Sequence, residues 1–190
     1  MNHRIKLVLL FSIFAAPFVL AYTAYHFWTP KSFVNRGTLL QPVQLLADEP
    51  VKVDSAAPVA WSKQEKLNGK WILLLPENLP CNAGCEERLV GLRQVHAAMG
   101  KHQPRIQRAV MTLSGVPDTA FQAKVPDLVW VQGDGVRAKL QAASGQGTTP
   151  VHHIFLVDPL GNLFMRYPVN ADLKDLVKDL ERLLKASRIG

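Results

Sequence analysis

Cysteine is the scarcest chemistry-bearing residue: the 190-residue chain has two, Cys81 and Cys85, inside LPCNAGC at residues 79–85. Two cysteines cannot build a scaffold of several bridges. A structural disulfide also gains most by closing a long loop, where it restrains the unfolded chain more. A bridge across three residues restrains little. The pair is better suited to what neighbouring sulfurs do, which is to exchange electrons or hold a soft metal. The plainer alternative is an inert buried pair or a permanent local bridge.

Other absences narrow the class further. There is no Gly-rich phosphate loop, no Ser-His-Asp set and no zinc-ligand spacing. No internal repeat or low-complexity stretch is visible. Acidic residues are fewer than basic ones, 15 against 22, giving a net charge of +7. The excess sits partly in MNHRIK and partly in KDLERLLKASR, and no basic cluster is interleaved with aromatics. That pattern excludes a nucleic-acid partner and fits a solvated basic surface beside an anionic membrane or an acidic protein.

What is present starts with a long apolar run. LVLLFSIFAAPFVLAYTAYHFW, residues 7–28, has no Asp, Glu, Lys or Arg and is long enough to cross a bilayer. Arg4 and Lys6 precede it, so the positive-inside rule predicts a cytoplasmic tail over 1–6 and a domain on the far side, in the periplasm. Tyr22, Tyr25, Phe27 and Trp28 would mark the outer interface. A cleaved signal peptide ending near Val19-Leu20-Ala21 is the alternative, but apolar residues continue past Ala21. Residues 29–34 then form a tether, and 35–190 the domain.

With 48% hydrophobic residues, that domain can bury a full core. The Pro-spaced segment after Arg36 predicts short strands or a hairpin. WILLLP at 71–76 is an unbroken apolar run, as expected of a strand buried on both faces. After the cysteines, Leu89, Leu92, Val95 and Met99 fall on one helical stripe, with Gly100 as its stop. Strands follow at 105–113, 127–131 and 153–158, with a helix over VRAKLQAA. Asp158-Pro159-Leu160-Gly161-Asn162 is a turn into a hairpin partner at 162–168. A last helix carries Leu173, Leu176, Val177, Leu180, Leu183 and Leu184, capped by Asn170 or Asp172. This order predicts an α/β domain of the thioredoxin-like fold, a central mixed sheet flanked by helices, behind one transmembrane helix.

LNGKWILLLPENLPCNAGCEERLVGL and HHIFLVDPLGNLFMRYP together resemble the Sco/SenC family of cytochrome oxidase assembly proteins. That family pairs a buried strand with Cys-x-x-x-Cys and a helix, and later places a histidine before a strand ending in Asp-Pro-x-Gly. The resemblance covers roughly residues 61–190. It implies a membrane-anchored periplasmic accessory protein for cytochrome c oxidase biogenesis, acting by copper delivery or by reduction of the copper-site cysteines. Its partners would be a respiratory oxidase subunit, or another thiol or copper client. Asn82 and Glu86 stand where the family carries prolines, and Pro150 where its copper histidine falls.

The candidate site is therefore Cys81 and Cys85 as redox pair, and with His152 as copper ligands. Two thiolates suit Cu(I), and imidazole accepts either copper state. His152 occupies the place where thioredoxin folds often carry a proline packed against the cysteines. Neighbours in a strand point to opposite faces, so His153 is the reserve if the register shifts by one. A general thiol–disulfide oxidoreductase without metal, or a docking module without catalysis, uses the same residues differently.

Overall fold

The computed structural model describes residues 3–27, 35–54 and 56–190. The chain divides into two compact units, 1–34 and 35–190. In the first, α1 (His3–Phe27) is a continuous helix with no buried residue. It is long and apolar enough to cross a membrane. The Thr23 hydroxyl donates to the carbonyls of Val19 and Leu20, so its polar group is met within the helix. The helix takes in Arg4 and Lys6 as well as the apolar run. Trp28 and the tether at 29–34 lie outside the described residues.

The second unit is built on one eight-stranded sheet, in the order β1-β8-β7-β4-β5-β6-β2-β3. Its centre is β4 (Trp71–Asn78), β5 (Ile106–Ser114) and β6 (Leu128–Gln132), all parallel. β7 (His153–Val157) runs antiparallel to β4, and β8 (Asn162–Pro168) antiparallel to β7. β1 (Thr38–Leu45) closes that edge against β8. At the other edge, β2 (Pro50–Val53) lies beside β6 and pairs with β3 (Val59–Ala60). The N-terminal segment thus contains one short hairpin, and also sends a strand to each side of the sheet.

Alternation along β4 explains its unbroken apolar run. Leu73 and Leu75 enter one core layer, with Leu89, Leu92 and Val95 of α2 (Ala83–Ala98) and Leu176, Leu180 and Leu184 of α5 (Leu173–Ala186). Ile72 and Leu74 enter the other, with Val136, Leu140 and Ala143 of α4 (Asp134–Ser144) and Leu46, Val51 and Trp61 of the N-terminal segment. A bulge between β7 and β8 keeps Leu163 and Met165 on opposite layers despite their spacing of two. A short α3 (Thr119–Lys124), which the sequence pattern did not suggest, starts at an Asp118 cap.

Asp172 caps α5 through a bond from the Lys174 amide. Further along, Asp179 is buried and its Oδ2 accepts from the Tyr167 hydroxyl (2.6 Å) and from the amides of Arg36 (2.6 Å) and Gly37 (3.2 Å). One carboxylate thus ties the start of the domain to its last helix. Burial, then the bond to Asp179, pushes the Tyr167 hydroxyl pKa well above its usual value.

Candidate functional site: a cysteine pair at the mouth of a helix

β4 ends at Asn78, and the chain turns through Leu79, Pro80 and Cys81 into α2. Asn82 is the N-cap, and its side-chain oxygen accepts from the Cys85 amide at 2.9 Å. Cys81 therefore stands just before the helix and Cys85 in its first turn. The two are joined as a disulfide with Cα atoms 5.4 Å apart. Of the two geometries that this spacing allows, a shared helix face or a loop closing onto a helix start, the second is the one formed. Cys85 is 1% exposed and belongs to the core, while Cys81 is only partly buried against it. Cys81 is therefore the more accessible residue of the pair.

The loop is held from below by the end of β5. The Leu79 amide donates to the Ser114 carbonyl (2.9 Å), and the Ser114 hydroxyl to Asn78 Oδ1 (2.8 Å). Gly115 follows with φ +75°, and a Cβ there would lie 2.3 Å from the Leu79 carbonyl oxygen. Only glycine fits that approach.

A buried ion pair lies at the same end of the sheet. Glu77, 2% exposed, takes Arg88 Nε at 2.5 Å and Nη2 at 2.7 Å in a two-pronged bond. The bond to Glu77 raises the Arg88 pKa above its ordinary value, against the opposing effect of burial. Arg88 Nη1 is 3.3 Å from where a Gly84 Cβ would stand, which puts the guanidinium alongside the turn that joins the cysteines. Beside Glu77 in the next strand is Thr112, whose hydroxyl is buried without a hydrogen-bond partner. Sequence reasoning passed over Glu77 and Arg88. The available signal was a lone acid at the end of an apolar strand, with an arginine one turn beyond Cys85.

The histidines fall differently. His152 is the last residue of a 3-10 turn (Pro150–His152), not part of a strand, and its side chain is exposed. Since β7 opposes β4, that turn lies at the sheet end where β4 leaves for the cysteines. His153 begins β7, is buried, and shares the strand face of Phe155, its ring 5.8 Å from that residue's. Phe155 packs in the α4 layer and Cys85 in the α2 layer, so strand alternation puts His153 on the far side of the sheet from Cys85. Burial, with Arg166 nearby, holds its pKa below the usual histidine value. His96 is structural, its Nε2 3.2 Å from the Gln103 carbonyl.

Among the described residues, no group of three or more His, Cys, Asp or Glu side chains is gathered to hold a metal ion. With its sulfurs bonded to each other, the pair offers no thiolate. Reduction frees two thiols, of which Cys81 stands just before the helix start, where the dipole and open amides stabilise a thiolate.

Comparison with known proteins agrees with this architecture. The family model described as transmembrane-like, thioredoxin-like, C-terminal domain matches residues 71–187. Yeast Sco1 with copper bound aligns at 14% identity and a TM-score of 0.56, covering 82% of this chain and 96% of that one. Bradyrhizobium japonicum ScoI with copper bound aligns at 18% identity and 0.50, covering 73% and 99%. A putative electron transport protein of Aquifex aeolicus VF5 aligns at 19% and 0.56, covering 76% and 98%. At these identities the likeness establishes a shared fold, which is that of the Sco/SenC proteins. No curated protein matches the sequence.

Proposed function

Because the chain belongs to the transmembrane-like, thioredoxin-like, C-terminal domain family, we propose that it is a membrane-anchored, Sco-like accessory protein for cytochrome c oxidase biogenesis. One observation carries the reading: a buried strand delivers Cys81 and Cys85 to a helix start as a closed pair, one residue more accessible and the other in the core. The copper-bound state of its structural relatives supports a copper-linked role. Arg4 and Lys6 at the start of the helix, ahead of its apolar run, support an anchor in the inner membrane with the domain in the periplasm.

Two actions use the same sulfurs. As a reductant, once an external dithiol has reduced the pair, the Cys81 thiolate attacks a disulfide of the oxidase copper site and forms a mixed disulfide, releasing one client thiolate. The Cys85 thiolate then displaces the second client sulfur and closes the Cys81–Cys85 bond. Two electrons pass to the client, and its two thiolates take up protons or copper. The closed pair is the state this step leaves behind, with Cys81 the more exposed of the two residues. As a copper carrier, the reduced pair holds Cu(I) as cargo and His152 supplies the third ligand from its turn. A general thiol–disulfide oxidoreductase would perform the first action on a wider set of clients.

Titration of the reduced full chain with Cu(I) tests the carrier action. One equivalent should bind, either Cys→Ser change should weaken it sharply, and His152→Ala should act mainly on Cu(II). Binding that survives in the double cysteine variant ends the copper reading and leaves the reductant.

A further inference from the structure

The sheet face under α2 is apolar through its middle, with one exception. Arg108 on β5 stands in register between Leu73 of β4 and Leu128 of β6, and is 6% exposed. Its guanidinium has one ion-pair partner among the described residues, Asp127 Oδ2 at 3.6 Å, which is beyond hydrogen-bond distance. The Asp127 side chain is itself 76% exposed, so it is a counter-ion at the rim. A guanidinium stays charged in proteins, and no Arg108 nitrogen is among the fully buried atoms without a partner, so its donors face the open space beside it. Burial lowers the Arg108 pKa, Asp127 partly restores it, and the charge of Arg93 lowers it again.

The residue opens into a cavity of about 400 Å³ lined also by Lys70, His96, Gln103, Gln107 and Asp127. Lys70 has no ion-pair partner among the described residues. The charged lining of the cavity is thus two cations, Arg108 and Lys70, and one carboxylate, Asp127. The cavity lies where β4, β5 and β6 begin, the end away from the cysteines.

We propose that this cavity binds a phosphate group, with Arg108 as its buried anchor and Lys70 as the second cation. A planar guanidinium meets two oxygens of a phosphate at once, which supplies the bonds Arg108 lacks. The excess of positive charge favours an anion, and the spread of donors over Arg108 and Lys70 suits the several oxygens of a phosphate. Its source is either free phosphate or the phosphodiester of a lipid headgroup. The site is independent of the cysteines, so its failure would leave the proposed function untouched.

The test is calorimetric titration of the full chain, in neutral detergent and at constant ionic strength, with inorganic phosphate. One site per chain should saturate. Arg108→Gln should weaken it about thirtyfold or more, the usual scale for removing one partner of a buried charge pair. Lys70→Gln should weaken it by roughly fivefold, as a less buried charge. Displacement of phosphate by a soluble short-chain phosphatidylglycerol assigns the lipid source, and binding of inorganic phosphate alone assigns the free ion. Absence of saturable binding, or equal heat from matched chloride, overturns the proposal. So does unchanged affinity in folded Arg108→Gln. Should that variant not fold, unchanged affinity in Lys70→Gln overturns it.

Discussion

Arg88 and Arg108 serve the α2 side of the same sheet, one at each end of the parallel strands, and their surroundings could hardly differ more. Arg88 closes a two-pronged bond onto a carboxylate that is itself 2% exposed. Arg108 is more deeply buried and has only a rim carboxylate 3.6 Å away. A buried charge with its geometry completed inside the protein braces the structure. One left incomplete keeps binding capacity in reserve. The cysteine end is therefore braced around its disulfide, and the far end leaves a cavity beside Arg108, where the phosphate site is proposed.

The contrast can be broken by substitution. Arg88→Met leaves Glu77 buried and unpaired, and should cost about 3–5 kcal/mol in denaturant unfolding. Adding Glu77→Leu should recover most of that loss, because the uncompensated charge is gone. A full additive loss in the double variant would show that the pair acts only through packing. Gly115→Ala forces a left-handed residue and a clash with the Leu79 carbonyl. It should cost about 2 kcal/mol or more and make the disulfide more readily reduced, as read by melting and by titration against a dithiol buffer. Asn82→Ala removes the cap on α2 and should cost about 1 kcal/mol, with lowered thiolate reactivity at Cys81 measured by alkylation rate. Arg108→Met should change stability in phosphate-free buffer by less than about 1 kcal/mol, or raise it, since no hydrogen bond is lost. A large loss there would mean that Arg108 is a brace like Arg88.

Much of this was legible in the sequence, and the reasons are local. WILLLP reads as a doubly buried strand because apolar residues have no other reason to run unbroken before a polar loop. The leucine spacing of α5 and the Asp158–Asn162 turn are equally plain, since periodicity and turn chemistry depend on near neighbours. The cysteine pair was legible for the same reason. Residues placed by tertiary register were not. His152 looks like a strand residue in sequence, but Pro150 starts a 3-10 turn that holds it out of β7. Glu77 and Arg88 meet because α2 folds back over the end of β4, and Arg108 sits in a core layer that no pattern of charges announces. β1 and β2 are close in sequence yet separate to the two sides of the sheet, because each finds a different edge to pair with.

The reading of the cysteines as functional, not structural, is tested most directly by the double change Cys81→Ser with Cys85→Ser in the full chain, measured for melting and for assembly of active oxidase in the same cells. The bridge closes so short a loop that its entropic worth is roughly 2 kcal/mol. Cys85 is one small member of a core layer carried by the apolar residues of β4, β7 and α5. The variant should therefore melt within a few degrees of the parent, while oxidase assembly fails. A variant that does not fold would make the pair a structural staple. One that folds and still supports assembly would reduce the domain to a docking module.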